Sequence, residues 1–171
     1  MTQVSNGYLM ALIDATGHGY SAHLFADRLA DFILDHKSSQ LKHLLDQCHC
    51  FAHASVGAAL ALGYINLTEM YFEFIGIGNI RPVVITNKRK RLVSRDGMLG
   101  QRLSDSHAVY RIPLCKDAMI VFFSDGISQS ASMSLDPSSI ESYTASRLAS
   151  EISRFAKTYD DASCLVVKVK P

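Results

Sequence analysis

The segment LIDATGHGYSAHLF, residues 12–25, joins an apolar run to a glycine-rich turn through a single aspartate, Asp14. The run that precedes it, residues 8–13, is short and continuously apolar, which predicts a buried strand. Residues 21–36 repeat apolar side chains at helical spacing and predict a helix. Asp14 is therefore expected at the end of a rigid strand, beside a turn that leaves room for a ligand.

The composition is that of an ordinary globular domain. The chain has 171 residues, 48% hydrophobic and 19% charged, so we expect one domain over residues 1–171 with a real core. Its net charge of +1 gives no general attraction to nucleic acid or to an anionic membrane. No apolar run approaches the ~20 residues of a membrane span, and residues 1–6 lack the pattern of a signal peptide. The basic run at residues 88–91 is predicted to be a solvated hairpin turn.

The order of the other predicted elements indicates the fold class. A second helix is expected over residues 41–54, and a longer one from Pro137 to about residue 159. Three hairpins are predicted, joining residues 58–65 to 70–75, 81–86 to 92–94, and 109–114 to 119–124, before a last strand at 165–169. Helices grouped apart from antiparallel strand pairs are typical of the α+β class rather than of a doubly wound sheet.

Acidic residues recur where predicted strands begin or end. Asp125 follows an apolar run as Asp14 does, and Asp160 and Asp161 stand just before the last strand. Aspartate is common in turns, so these could be independent turn residues. If they converge, the carboxylates need a cation among them, and an all-oxygen set favours Mg²⁺ or Mn²⁺ over zinc. The residues alone leave both interpretations open.

Taken in order, the acidic sites and one glycine-rich turn resemble a known family. The motifs are Asp14-Ala15-Thr16-Gly17-His18-Gly19, Gly76-Ile77-Gly78-Asn79-Ile80, Phe123-Ser124-Asp125-Gly126-Ile127 and Asp160-Asp161-Ala162-Ser163. Their order and strand context resemble the PPM-type (protein phosphatase 2C-like) serine/threonine phosphatases, in the bacterial branch of SpoIIE, RsbU and RsbX. The Cys48-His49 helix and the start of the strand at residues 57–59 are most similar to RsbX. The resemblance implies an α-β-β-α sandwich of mainly antiparallel sheets flanked by helices.

The resemblance also implies a cofactor and the residues that hold it. Asp14 would bridge two Mn²⁺ or Mg²⁺ ions, the backbone carbonyl of Ala15 would bind one of them, and Asp125 and Asp160 would complete the pair. Two-metal sites clamp the attacking and leaving oxygens of a phosphoryl displacement and supply hydroxide near neutral pH. We therefore expect a metal-dependent phosphoprotein phosphatase, with Asp14, His18 and Asp125 as candidate catalytic residues.

His18 has two interpretations. A histidine near the metals could protonate the leaving serine oxygen. It could equally be a turn residue hydrogen-bonded near the start of the helix. Gly78 and Asn79 are expected to shape a turn beside the site, and Arg102 is expected at the surface rather than at phosphate.

The chain departs from the family's pattern in two ways. Ala15 stands where the family has glycine, which a carbonyl ligand tolerates if the φ of Ala15 stays negative. An earlier strand with a Gly-Asp motif is not found in this chain, so the strand of Asp14 is expected at an open sheet edge unless residues 2–7 fold over it. We therefore expect weak binding of one metal ion and a tendency to self-associate through that edge.

The cysteines are interpreted as packing residues. Cys48, Cys50, Cys115 and Cys164 lack the spacing of a secreted scaffold, which indicates reduced thiols and a cytoplasmic protein. The Cys48-His49-Cys50 triplet is predicted to serve helix packing, because three consecutive helical residues cannot all face one zinc ion.

The resemblance further implies a substrate and leaves a rival. The substrate would be a phosphoserine or phosphothreonine on a STAS-domain anti-sigma antagonist or a similar partner-switching protein in stress-response signalling. The rival is a pseudophosphatase, a binding module that docks such a partner without turnover. Nucleotide binding through Gly76-Ile77-Gly78 is the weaker third reading, because no phosphate-cradling helix is predicted after it.

Overall fold

The computed structural model describes residues 1–101 and 108–170. Their helices and strands, in chain order, are β1 (Thr2–Val4), β2 (Gly7–Ala15), α1 (Tyr20–Asp35), α2 (Leu41–Phe51), β3 (Ala58–Asn66), β4 (Tyr71–Ile77), β5 (Arg81–Ile85), β6 (Arg89–Arg91), β7 (Tyr110–Pro113), β8 (Met119–Phe123), α3 (Gln129–Ser134), a 3-10 helix (Pro137–Ser142), α4 (Ala145–Ser153) and β9 (Cys164–Lys168). The chain divides into two compact units, Met1–Asn79 with Ser94–Pro113, and Ile80–Val93 with Leu114–Pro171.

The first unit is an antiparallel sheet with two helices packed against it. The strand order is β1-β2-β3-β4-β7, and β2 pairs with β3 along its whole length, from Gly7 opposite Asn66 to Ala15 opposite Ala58. Helix α1 buries Ala22, Phe25, Leu29 and Ile33, and α2 buries Leu41, Leu44, Leu45 and Cys48. These stripes recur at helical spacing and pack with alternate residues of β2 and β3 in one core, so the apolar period positions both helices on the sheet.

The second unit is a four-stranded antiparallel sheet in the order β6-β5-β8-β9. Its central strand β8 is buried along its whole length. Val83 and Ile85 of β5 pack with Val121 and Phe123 of β8 in a core that α3 and α4 complete. The α+β class and the antiparallel sheets predicted from the sequence are therefore confirmed, as are β2, α1, α2, the β3–β4 hairpin and β9.

The prediction of the second hairpin is wrong in its second strand. β5 pairs with Arg89–Arg91, so the basic run is the edge strand β6 rather than the turn, and residues 92–94 are not a strand. The turn lies one step earlier, where the Thr86 amide donates to the Lys88 carbonyl over 3.0 Å. A short edge strand keeps its charged side chains in solvent, which is why it accepts three cations in a row.

The third hairpin does not form. β7 pairs with β4 in the first sheet, whereas β8 pairs with β5 and β9 in the second. Both edges of β8 are thus occupied, and the backbone of residues 117 and 118 is hydrogen-bonded to Val169 instead of closing a hairpin. A short polar linker between apolar runs predicts a turn but not which strands pair across it.

The long helix predicted from Pro137 is broken into two pieces. A 3-10 helix ends at Ser142, and α4 begins at Ala145 after the extended residue Thr144, whose hydroxyl accepts the Arg147 amide over 3.1 Å. This N-cap starts a new helix where the apolar period suggested a continuous one. Leu148 and Ile152 are buried as predicted, while the side chain of Ile140 lies outside the described ones.

The sheet edge beside β2 is partly covered. β1 pairs with β2 at Gly7, Tyr8 and Leu9, so residues 2–4 do fold over the edge that the sequence left open. Along residues 10–13, the described part of the chain places no further strand on that side. An apolar cavity of about 200 Å³ lies there, lined by residues that include Met1, Ala11, Ile13 and Leu34.

The described cysteines are all free thiols. Cys48 is buried in α2, as the packing interpretation predicts, and burial raises its pKa to about 12. Cys50 is exposed on the same helix, and His49 accepts the Gly100 amide at Nδ1 over 3.1 Å. Within residues 1–101 and 108–170, no helix has both the length and the apolar character needed to cross a membrane.

Candidate metal centre

Asp14 is the last residue but one of β2, and it is half-buried. It stands opposite Ala59 of β3, and the ladder is extended by the Thr16 amide, which donates to the Gly57 carbonyl over 2.9 Å. Its backbone is therefore fixed by pairing up to the residue where the turn begins. Ala15 pairs with Ala58 and is not among the residues with positive φ, so the condition for alanine at this position is met.

The turn after Asp14 depends on two glycines with positive φ. Gly17 has a φ of 91° and Gly19 a φ of 81°, and residues other than glycine rarely adopt these backbone angles. A Cβ added at either glycine would have nothing within 4 Å, so the backbone faces open space. His18 lies exposed between them, directly before α1 begins at Tyr20. Its role as a proton donor stays a prediction.

The Gly78 turn supports the strand opposite Asp14. Gly78 has a φ of 86°, and a Cβ there would lie 2.5 Å from the Cβ of Ala59. Its amide donates to the Arg95 carbonyl, and the Arg95 amide donates to Gly76, each over 2.8 Å. This close packing fits the prediction that the glycine-rich segment shapes a turn rather than performs chemistry.

Asp125 follows β8 on a tight turn, residues 124–127, which we call the Asp125 turn. The Ile127 amide donates to the Ser124 carbonyl over 3.2 Å, which closes the turn, and Asp125 is half-buried within it. The buried strand before the turn fixes the point from which the carboxylate projects.

The loop of Asp160 and Asp161 is joined directly to the Asp125 turn. The Ser124 amide donates to the Ser163 carbonyl over 3.0 Å, and the Ser163 amide donates to Ser124 Oγ over 3.1 Å. A Cβ on Gly126 would lie 2.0 Å from the Asp161 carbonyl oxygen, so only glycine lets the two backbones approach this closely. The second unit thus brings together the two loops that carry Asp125 and Asp160.

Lys157 contacts both of these loops. Its amide donates to the Gly126 carbonyl over 2.8 Å, while its ammonium Nζ lies 3.9 Å from Asp160 Oδ2. Both side chains are partly exposed, so the ion pair is weak in itself. It nevertheless places a cation beside one of the candidate carboxylates.

The candidate residues are divided between the two units. Asp14, Ala15 and His18 belong to the first, whereas Asp125 and Asp160 belong to the second. Among the described residues, no three aspartate, glutamate, histidine or cysteine side chains form a group that could hold a metal ion. The assignment of Asp14, Ala15, Asp125 and Asp160 as metal ligands therefore remains a prediction, and Arg102 lies outside the described residues.

Sequence reasoning missed the residues that hold the Asp125 turn. Ser124 and Ser163 were seen only as parts of motifs, yet they supply the hydrogen bonds between the two acidic loops. Arg81 was not considered, although its guanidinium donates to carbonyl groups of the turn. The available signal was an arginine directly before Pro82 at the start of a strand.

The sequence matches the family described as Stage II sporulation protein E (SpoIIE) over residues 5–170. This match spans nearly the whole chain, so the chain belongs to the SpoIIE family, and its fold is that of the protein phosphatase 2C-like domains. No curated protein sequence matches the chain.

Several solved structures share this fold. RsbX in complex with magnesium superposes with a TM-score of 0.82 at 14% identity, covering 97% of this chain and 82% of that one. A chain from a study of the bacterial stressosome and secondary messenger signalling gives a TM-score of 0.84 at 19% identity, covering 98% and 88%. The PP2C phosphatase domain of SpoIIE from Bacillus subtilis, with a fragment of its regulatory domain, gives a TM-score of 0.77 at 17% identity, covering 99% of this chain and 56% of that one. These likenesses confirm the predicted fold, and the match over residues 5–170 confirms the SpoIIE family.

Proposed function

We propose that this chain is a metal-dependent protein serine/threonine phosphatase. The observation that carries the proposal is the junction of the two acidic loops, in which Gly126 and the Ser124–Ser163 hydrogen bonds hold Asp125 beside the segment of Asp160. The two loops adjoin the paired ends of β8 and β9, so the sheet itself brings both acidic segments to one end. Membership of the SpoIIE family supports the same activity.

The donor set fits Mn²⁺ or Mg²⁺ by its chemistry. Asp14, Asp125 and Asp160 offer carboxylate oxygens and Ala15 a carbonyl oxygen, which are the ligands that hard divalent cations prefer. When bound, two such ions supply a hydroxide nucleophile and offset the charge of the phosphoryl oxygens. The chain's own residues would hold these ions from strand-end positions that tertiary packing has already fixed.

The remaining candidate roles follow from position. His18 lies exposed in the turn before α1, where it can hold a proton for the leaving serine oxygen. Gly17 and Gly19 leave open space in front of the backbone, which suits the approach of a bulky phosphoprotein side chain. Lys157 reduces the repulsion among carboxylates beside Asp160.

We also propose the substrate class and setting. The substrate is a phosphoserine or phosphothreonine on a STAS-domain anti-sigma antagonist or a similar partner-switching regulator, acting in the cytoplasm in stress-response signalling. The support is family membership together with fold neighbours that include RsbX and the RsbU and RsbW domains of Rv1364c from Mycobacterium tuberculosis. The whole chain is proposed to act as one phosphatase domain.

The deciding experiment is phosphate release from a phosphoserine peptide and from a phosphorylated STAS-domain protein, with Mn²⁺ varied. We expect turnover that requires Mn²⁺ and falls more than about a hundredfold in Asp125→Asn, since outer-shell partners of a metal alone are worth up to that much. Asp46→Asn, an exposed carboxylate on α2, is the matched control and should keep the parent rate.

The outcomes separate the two candidate functions. Turnover by Asp125→Asn at the parent rate would refute the metal assignment. A parent chain that binds the phosphorylated STAS-domain protein, but releases no phosphate at any Mn²⁺ concentration, would instead be the pseudophosphatase.

A further inference from the structure

Arg81 reaches from the start of β5 to both ends of the Asp125 turn. Its Nη2 donates to the carbonyl of Ser124 over 3.2 Å and to the carbonyl of Ile127. Its guanidinium carbon lies 5.1 Å from the centre of the Phe123 ring, the residue paired with it across the sheet. One side-chain nitrogen therefore bridges the first and last residues of the turn that carries Asp125.

Arg81 makes one unfavourable contribution to folding beside these favourable contacts. The Nε of Arg81 is buried and has no hydrogen-bond partner among the described residues, which disfavours the folded state. Burial lowers the pKa of Arg81, while the nearby Asp125 carboxylate acts to raise it. The cation thus stays close to Asp125 at some cost to the fold.

The turn is held by donors from two different segments. Residues 157–163 bind it through the Lys157 amide, through the Ser163 carbonyl, which accepts the Ser124 amide, and through the Ser163 amide, which donates to Ser124 Oγ. Arg81 supplies the side-chain donors from β5. Because the guanidinium is planar, the two N–H groups of Nη2 keep fixed directions, so Arg81 restrains the turn more than a freely rotating ammonium would.

We propose that Arg81 is a positioning residue for Asp125, fixing the Asp125 turn and thereby the direction in which the carboxylate is presented to the metal. The effect of Arg81 on the turn is inferred only from its hydrogen bonds to Ser124 and Ile127. Its consequence for metal binding rests on the proposed function.

Arg89 offers a matched control in the same unit. Its Nη1 donates to the carbonyls of Ser132 over 2.9 Å and Leu135 over 3.3 Å, so it also links a strand to backbone carbonyls. Those carbonyls lie at the end of α3 and not in the Asp125 turn. Replacing Arg89 therefore removes a similar set of arginine–carbonyl hydrogen bonds away from the Asp125 turn.

The experiment compares Arg81→Met, Arg81→Lys and Arg89→Met with the parent chain. It measures Mn²⁺ binding by calorimetry, amide hydrogen exchange at residues 125–128 in metal-free protein, and unfolding in urea. We expect Arg81→Met to weaken Mn²⁺ binding about 10- to 100-fold, the range for residues that orient metal ligands, and to speed exchange at residues 125–128. Arg81→Lys should fall between, because it keeps the charge but loses the fork.

The control separates positioning from general stability. Arg89→Met should destabilise the chain in urea while changing Mn²⁺ affinity less than about twofold and leaving exchange at residues 125–128 unchanged. Equal effects of Arg81→Met and Arg89→Met on Mn²⁺ affinity would overturn the proposal, as would parent-like Mn²⁺ affinity in Arg81→Met.

Failure of the proposed function would look different. A parent chain that binds no Mn²⁺ refutes the metal site and, with it, the consequence assigned to Arg81. The exchange data still test whether Arg81 holds the Asp125 turn. Faster exchange at residues 125–128 in Arg81→Met, but not in Arg89→Met, supports this role, and unchanged exchange in Arg81→Met rejects it.

Discussion

After Asp14 the chain passes through Gly17 and Gly19, both at positive φ, whereas after Asp125 it passes through Gly126, which packs against the backbone of Asp161. Both aspartates lie near the end of an apolar run and are followed by a glycine within three residues, so the two turns look alike in the sequence. In the first turn glycine provides backbone freedom in open space. In the second it permits contact between two acidic loops.

The difference shows that glycine after an aspartate can serve two purposes, a backbone angle with positive φ or a close contact between two backbones. The turn after Asp14 faces open space, and its glycines are required by φ alone. The packed Asp125 turn is fixed by hydrogen bonds with residues 157–163 and from Arg81. We infer that the first turn admits substrate and the second fixes the charge that the metal meets.

The largest expected effect is the loss of activity when the proposed metal ions are removed. Exhaustive chelation with EDTA should abolish phosphate release, because carboxylates from both turns are proposed to serve the same ions. Alkylation with N-ethylmaleimide should modify the exposed Cys50 and Cys115, spare the buried Cys48 whose pKa is raised to about 12, and change turnover less than about twofold. Activity that survives chelation, or that is lost on labelling one cysteine, would indicate a thiol mechanism.

The next effect tests whether the two turns are equivalent at the metal. Asp14→Asn should lower turnover by as much as Asp125→Asn, more than about a hundredfold, with the urea unfolding midpoint retained. Neither carboxylate belongs to the apolar core, so loss of activity should not require loss of fold. If Asp14→Asn keeps near-parent turnover while Asp125→Asn loses it, the two turns do not share one metal centre.

A pair of glycine substitutions sharpens the contrast in stability. Gly126→Ala would place a Cβ 2.0 Å from the Asp161 carbonyl oxygen, and we expect it to destabilise the chain by roughly 3 kcal/mol, the upper range for overpacking. Gly17→Ala meets no atom and should cost only about 1 kcal/mol of backbone strain at positive φ. Urea unfolding gives both values, and equal losses would remove the distinction drawn between the turns.

The smallest expected effect concerns the edge of the sheet that carries Asp14. β1 covers β2 only as far as Leu9, and an apolar cavity lies beside the residues beyond it, so we expect weak self-association at high concentration. Leu34→Lys, a substitution of an exposed α1 residue that lines this cavity, should reduce it. Sedimentation velocity from about 10 to 200 µM measures the effect, and Val93→Lys is the exposed control. A parent chain that stays monomeric throughout would show that β1 protects the edge sufficiently.

Several elements could be predicted because their signals are local. The apolar run before Asp14 gave β2, and the helical spacing of Phe25, Leu29 and Ile33 gave α1. The hairpin of β3 and β4 followed from two apolar runs around a short polar turn. In each case the residues that decide the element lie within one or two turns of chain, so no distant contact was needed.

Strand pairing and the break between two helices could not be predicted in the same way. The same hairpin signal between β7 and β8 was misleading, because β8 is already paired on both sides by β5 and β9. The break before α4 depends on the Thr144 cap, which an uninterrupted apolar period hides. These features depend on competition between contacts far apart in sequence, which a local pattern does not register.

By itself, the sequence determined the aspartates beside strand ends and the positions of their glycines, and it left open whether these carboxylates converge on a metal. Only the tertiary structure decided that Ser163 and Asp161 meet the turn of Asp125, and that Arg81 reaches its carbonyls. The physical reason is that residue type fixes what a side chain can bind. Its partners are fixed by strands and loops that approach from 35 to 46 residues away, here Asp161 to Gly126 and Arg81 to Ile127.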